Sequence, residues 1–448
     1  VLPPGFIQKP PGKFQAYKGV QDDASLTDYG GSATAVYNAP GVDITSITAY
    51  RAQETHYFDD QTGIAPSALT ADIKLRKHYF YQELRAISTS EGRFHFLGGA
   101  SYLRTHTDGN SIIGYYPPLF TQTPTTSTGG VKNWSVYGQL GYDLTDHLNL
   151  TASGRYIHET NRVDFTSPVT ASSEVSASKF LPSATLSYSL ASGGNVYARY
   201  AKGFKAGGVN SVDPPTAYPT DFGKVFAPEQ IDTYEIGYRA PLFDRTMQLT
   251  TAVFYNDYTG IQTFTNGNPS HPGIIFAIIN SGSARTYGAE SSLTWRVTSP
   301  FTLGVNASYL NARYKQFGNS DGAVLNTFDF SGRKMLFSPT WQLALTGDVD
   351  YPINDRCNFI ANALVSYTDD IKFFNSAVQG IPDPIQPAYW LTNVRVGMRT
   401  SDDRYRVTLF ANNLFNRGYV TLGQASAFGD LYRWGNPRIV GIEVRAKY

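Results

Sequence analysis

The chain has 448 residues, with 37 Lys+Arg against 36 Asp+Glu, and the resulting formal net charge of +1 removes any bulk electrostatic case for a nucleic-acid partner. Aromatics make up 14% of the residues and charged side chains only 16%, alongside 41 Gly and 25 Pro but 3 Met, a turn-rich β composition. The lone Cys357 has no second thiol for a disulfide, zinc or redox pair, and the apolar run Ile274 to Ile279 falls far short of the ~20 residues a spanning helix requires.

A mean hydropathy of −0.28 does not argue against a membrane, because a transmembrane β-barrel places its lipid face on every second residue and averages out as polar. The chain opens at Val1-Leu2-Pro3-Pro4, as expected of a processed or truncated product. Residues 1–31 read as a long outer loop, and Ser32 to Asn38 as a first strand with Ala33, Ala35 and Tyr37 on one face. Short turns then recur at Gly41, Glu91, Asp146, Gly193, Asp244, Ser299, Asp355 and Asp402, roughly every 50 residues, each flanked by strictly alternating stretches and separated by longer polar loops.

Around Asp146 one face carries Val136, Leu140, Tyr142, Leu148, Leu150 and Tyr156, and the other Ser135, Tyr137, Gln139, Asp143, Asn149 and Arg155. The same division holds over Thr286 to Val297 and Thr340 to Val349. On the apolar face aromatics stand eight residues apart, as in Trp134 and Tyr142, Phe180 and Tyr188, Tyr287 and Trp295, Phe301 and Tyr309, Phe359 and Tyr367. That spacing rises about 20 Å along a tilted strand, close to the ~25 Å between the aromatic girdles of an outer-membrane barrel, and a soluble all-β core has no reason to keep it. The polar face carries Arg155, Arg199, Glu235, Arg239, Glu290, Arg296, Asp348, Arg395, Arg399, Glu443, Arg445 and Lys447, read as charges paired across neighbouring strands of a polar lumen.

Eight two-stranded units plus the first strand predict about seventeen strands. Bacterial single-chain barrels have even numbers, so an odd count beginning in an outer loop is expected of a barrel cut open. The last strand sets Ile442, Val444, Ala446 and the terminal Tyr448 on one face beside Gly441, and it resembles the signal by which such barrels are recognised for assembly.

Seven segments in order resemble the C-terminal barrel of TonB-dependent outer-membrane receptors, particularly the siderophore-receptor-like group: Ile44 to Arg51, Val136 to Thr160, Val196 to Asn210, Ala227 to Arg239, Ala284 to Glu290, Asn412 to Tyr419 and Gly435 to Gly441. The resemblance implies an all-β transmembrane antiparallel barrel of 22 strands in the outer membrane of a Gram-negative bacterium. Residues 32–448 then form the barrel, and the plug and the TonB-coupling box lie outside the chain. It also implies active import of a scarce nutrient, most simply a ferric siderophore, with the TonB complex, outer-membrane lipid and the ligand as partners, and no enzyme activity or cofactor. A passive porin-like channel, a barrel enzyme and a structural component of a larger assembly are the alternatives.

Candidate ligand contacts are loop aromatics and bases: Tyr115, Tyr116, Phe120, Lys202, Phe204, Lys205, Tyr218, His271, Phe373, Phe374, Tyr432, Arg433 and Trp434. Other signals point nowhere. Gly203 to Gly208 lacks the Lys-Ser/Thr of a phosphate loop, His158-Glu159 lacks a second His, Asn319 to Gly322 lacks the distal Glu of a calcium loop, and the seven His show no ligand spacing.

Overall fold

The computed structural model describes residues 13–14, 23–60, 69–115, 124–167, 170–210, 225–268, 271–317, 329–373, 385–426 and 429–447. Seventeen antiparallel strands form one sheet in which every strand pairs with its neighbours in the chain. They are Asp23–Ala39, Val42–Asp60, Leu69–Ser88, Phe94–Tyr115, Thr125–Asp143, Leu148–Ser167, Ala171–Ser189, Asn195–Lys205, Glu229–Leu242, Met247–Thr259, Gly282–Thr298, Phe301–Phe317, Trp341–Asn354, Cys357–Thr368, Tyr389–Thr400, Tyr405–Asn412 and Ile439–Ala446. All eight predicted short turns fall between paired strands. The first strand starts at Asp23 rather than Ser32, because the ladder with Val42–Asp60 continues past Gly30 and Gly31, well above the apolar stretch that marked it in the sequence. Among the described residues, Asp23–Ala39 and Ile439–Ala446 are each paired on one side only.

Alternation fixes which face looks where. Val136, Leu140, Ile236, Leu409, Ile442 and Val444 are all exposed on the outer face, whereas Ser101 and Ser135 on the inner face are buried. The outer face is bounded by two aromatic belts that the register assembles from separate strands. In the belt toward the long loops Tyr102 stands opposite Trp134, and Tyr200, Tyr234, Tyr255 and Tyr287 line up across four successive strands. Tyr309 opposes Trp341 and Tyr367 opposes Trp390, with ring centroids 4.8 and 4.9 Å apart. The belt toward the short turns includes Phe94 opposite Tyr142 and Tyr351 opposite Phe359. Among the described residues no Asp, Glu, Lys or Arg stands on the outer face between the belts. Lipid solvates these apolar side chains, so the barrel needs no central core.

The hydrophobic cluster lies instead at the rim, where Ile261, Ala284, Tyr314, Phe317 and Phe330 pack together. Four two-stranded ribbons rise there: Gly208–Val209 with Val225–Phe226, Gln262–Asn268 with His271–Asn280, Ile371–Lys372 with Ile385–Gln386, and Val420–Ser426 with Gly429–Trp434. The apolar run Ile274 to Ile279 belongs to the second of them. Pro182 sits where the ladder from Ala171–Ser189 to the following strand stops: pairing runs from Ser183 to Ser189 only, and the missing proline N–H costs no ladder bond.

Candidate functional site: the inner wall and the outer mouth

Three times around the inner wall an arginine lies over an aromatic ring while a carboxylate engages the ring or the arginine. Arg155 stands 5.7 Å from the Tyr137 ring centre, and the Tyr137 hydroxyl donates to Glu83, which also accepts from Tyr81 at 2.9 Å. Arg239 lies 5.1 Å from the Tyr197 ring, whose hydroxyl donates to Glu235 at 2.7 Å. Arg395 lies 5.7 Å from the Phe410 ring and 3.1 Å from Glu443. Each guanidinium is held beside its ring at the wall, so the lumen presents cations next to acceptors. Lower down, Arg399 donates to Asp350 through Nε at 3.0 Å and Nη2 at 2.7 Å, and Lys447 reaches Asp403 at 3.0 Å. Several of the inner-face charges are thus paired as the sequence reading expected. A cavity of about 560 Å³ opens on this wall, lined by Tyr197, Glu235, Arg239, Glu290, Ser308 and Gln342.

The mouth is built by side-chain amides that satisfy loop backbones. Asn280 accepts from Ala227 N at 2.6 Å and donates to the Ala227 and Gly260 carbonyls, both at 2.8 Å, while Gln386 accepts from Val420 N at 2.7 Å. Asn280 requires the chain to approach at Gly260, whose φ of +65° an ordinary side chain rarely adopts. In the rim cluster, burial pushes the Tyr314 hydroxyl pKa up, and at its edge the Ser331 hydroxyl holds the Asp329 carboxyl below its ordinary value.

The structure distributes the sequence-derived candidates unevenly. Lys202 and Phe204 share the outer face with Tyr200, and Lys202 lies 3.6 Å from Asp232, whereas Lys205 alternates to the inner side opposite Glu229. Phe373 is buried against Phe337, with ring centroids 5.6 Å apart. Tyr432, Arg433 and Trp434 share one ribbon, on which Tyr432 and Arg433 are exposed and Trp434 meets the Phe14 ring edge-on at 5.9 Å. The side chains of Tyr115 and His271, and all of Tyr116, Phe120, Tyr218, Phe374 and Tyr448, lie outside the described residues. In the last strand Ile442 and Val444 face outward, and the Phe410 ring roofs Gly441. Sequence reasoning did not single out Glu83 and Tyr81 of the first arginine station, or Ser101, whose hydroxyl accepts from Arg155 at 3.4 Å; their inward parity was the available signal.

An antiparallel sheet with an apolar outer face, two aromatic belts and a polar inner wall defines a transmembrane β-barrel of the outer-membrane kind. The TonB dependent receptor-like, beta-barrel family matches residues 3–414, and the chain belongs to that family, whose barrels lie in the Gram-negative outer membrane. The pesticin receptor of Yersinia pestis is 22% identical over 401 residues, covering 88% of this chain and 55% of the relative. The ferric-pyoverdine M114 receptor PbuA of Pseudomonas sp. strain M114 is 25% identical over 329 residues, covering 71% of this chain and 36% of the relative. Among solved structures, the ferric yersiniabactin uptake receptor FyuA from Yersinia pestis superposes with a TM-score of 0.79 at 18% identity, covering 95% of this chain and 62% of that one. The siderophore receptor PiuA from Acinetobacter baumannii gives 0.75 at 17%, covering 97% and 66%. The chain therefore spans about half the length of the pesticin receptor.

Proposed function

We infer that this barrel belongs to a TonB-energised receptor that imports a ferric siderophore across the outer membrane. The observation that carries the reading is the family match over residues 3–414 together with relatives named for ferric-chelate uptake. Physical chemistry supports it: large iron chelates are scarce and bulky, the outer membrane has no ATP, and a wide polar path with arginines at its wall suits an anionic cargo that must be held and then released. In this reading Lys205, Tyr432 and Arg433 at the mouth make first contact, and Arg239 and Arg395 line the path below.

The test is uptake of radiolabelled iron by a strain deleted for the gene and complemented with the intact receptor, with a panel of ferric siderophores supplied at limiting concentration. Uptake of at least one chelate that is lost on deletion and collapses when TonB is removed is the expected result. Equal uptake in deleted and complemented strains across the panel overturns the siderophore assignment, and uptake that persists without TonB overturns the energised mechanism in favour of a passive channel.

A further inference from the structure

We propose that the outer wall carries a binding site for the phosphate of an anionic lipid headgroup in the outer leaflet, formed by Arg104 and Lys132 above the aromatic belt. Arg104 and Lys132 share the parity of Tyr102 and Trp134, so both point away from the lumen. Each stands two positions beyond its belt aromatic, which places it about 5 Å above the apolar band, at the level of the headgroups.

The register makes Arg104 and Lys132 direct cross-strand partners. Two cations opposite one another destabilise a ladder, and neither has a hydrogen bond or ion pair among the described residues. Their neighbours are already engaged: Arg162 binds Asp164 at 2.8 Å and His106 lies 3.2 Å from Asp108. The pair of unmatched charges therefore calls for an external anion.

Space for that anion exists beside them. A cavity of about 160 Å³ is lined by Arg104, Gly130, Lys132 and Thr160 and, on its far side, by Arg162 with the carboxylates of Asp164 and Glu174, which lie 2.8 and 3.9 Å from that guanidinium. Gly130 forms its floor, and any Cβ there would run into the Thr105 carbonyl, so the residue cannot fill the hollow with a side chain. Between the Arg104–Lys132 and Thr107–Gly129 pairs the ladder opens, and the Thr105 hydroxyl takes the Val131 N–H at 2.8 Å instead. The site thus combines a recess with two free cations, while Arg162 takes up the neighbouring carboxylates and Ser176 the Thr160 hydroxyl, and two such cations are the chemistry that receives a phosphate monoester or diester. Its height on the wall selects a lipid-borne phosphate over a free one, because the acyl chains below lie along the apolar face.

The intact receptor, purified in a neutral detergent, tests this by native mass spectrometry and by lipid-dependent thermal stabilisation. The probes are a diphosphorylated glucosamine glycolipid, phosphatidylcholine and inorganic phosphate. Wild type is expected to retain the glycolipid in preference to the other two, R104A/K132A to bind it about 10- to 30-fold more weakly, and K74A/R76A on the same face to bind as wild type. Because removing opposed cations relieves repulsion, the double variant should fold; should it not, R104Q and K132Q singly are each expected to weaken binding about 5-fold. Unchanged affinity in the folded Arg104/Lys132 variants overturns the site, equal retention of phosphatidylcholine overturns headgroup selection, and inorganic phosphate binding as tightly as the glycolipid shows a free-anion site instead.

Discussion

Lys447, beyond the end of the last strand, donates to Asp403 in the last short turn at 3.0 Å, and Arg406 reaches the same carboxylate at 2.9 Å. The Lys447 bond fastens the terminal strand to the turn that precedes its partner strand, at the end of the sheet where pairing is one-sided, and the Arg406 bond, from the partner strand itself, holds the carboxylate in place. They also set the titration of the turn: the hydrogen bond from Lys447, then that from Arg406, lowers the Asp403 carboxyl from 3.8 to about 2.

A depressed carboxylate contributes stability that is complete above its unfolded value and is lost as pH falls through its folded value. The Asp403 contribution is therefore expected to be constant from neutral pH down to about 4 and to disappear between about 4 and 2. D403N should unfold at lower urea concentration than wild type at pH 7, and the gap should close by pH 2. A gap independent of pH would mean that the carboxylate charge is not what fastens the strand.

The apolar band makes a depth-dependent prediction. Leu140 is 56% exposed on the outer face with no charged neighbour between the belts. Leu140 stands two residues inside Tyr142 of the turn-side belt, so L140R is expected to cost about 1–2 kcal/mol in refolding into lipid vesicles, whereas Q139R, one residue away but facing the lumen, should be nearly neutral. Urea titration in large unilamellar vesicles reads both, and equal costs would invert the assignment of faces.

Close approach at Gly288 gives a steric prediction. A Cβ there would strike the Tyr309 carbonyl and the Phe254 ring edge, and the carbonyl is held in the adjacent ladder. G288A should destabilise the barrel by about 1–3 kcal/mol, seen as a lower urea midpoint with unchanged slope. By contrast G31A, where nothing lies within 4 Å of the added methyl, should leave the midpoint unchanged.

The second arginine station separates stability from transport. Y197F removes the 2.7 Å hydrogen bond to Glu235 but keeps the ring under Arg239, so about 1 kcal/mol of stability is expected to go while iron uptake persists. R239A keeps the tyrosine–glutamate bond and is expected to slow uptake several-fold with little change in the urea midpoint. Uptake that ignores R239A would remove this station from the cargo path.

Period-two alternation made most of the wall legible. Strand pairing is local along this chain, every strand bonding its chain neighbours, so turns such as Asn354 to Cys357 could be found from the flanking pattern alone. The extent of Asp23–Ala39 was underestimated because above the band both faces are polar and alternation no longer marks a strand. Parity already assigned Lys202 to the same face as Tyr200, a signal masked by the Gly-rich stretch that made it look like a loop. The mouth was largely illegible: that Trp434 meets Phe14, or that Asn280 ties Ala227 to Gly260, depends on contacts between distant loops that no local pattern encodes.

The short interval between the two aromatic belts also governs where the molecule can come to rest. With a span of about 20 Å, an ordinary bilayer with ~30 Å of hydrocarbon would leave roughly 10 Å of acyl chain pressed against charged wall, a penalty that accumulates around the whole circumference. A thinner leaflet pair removes that penalty, so the geometry itself acts as an address label: premature insertion into the thicker membrane crossed during export is disfavoured, and the destination is favoured without any receptor having to read it.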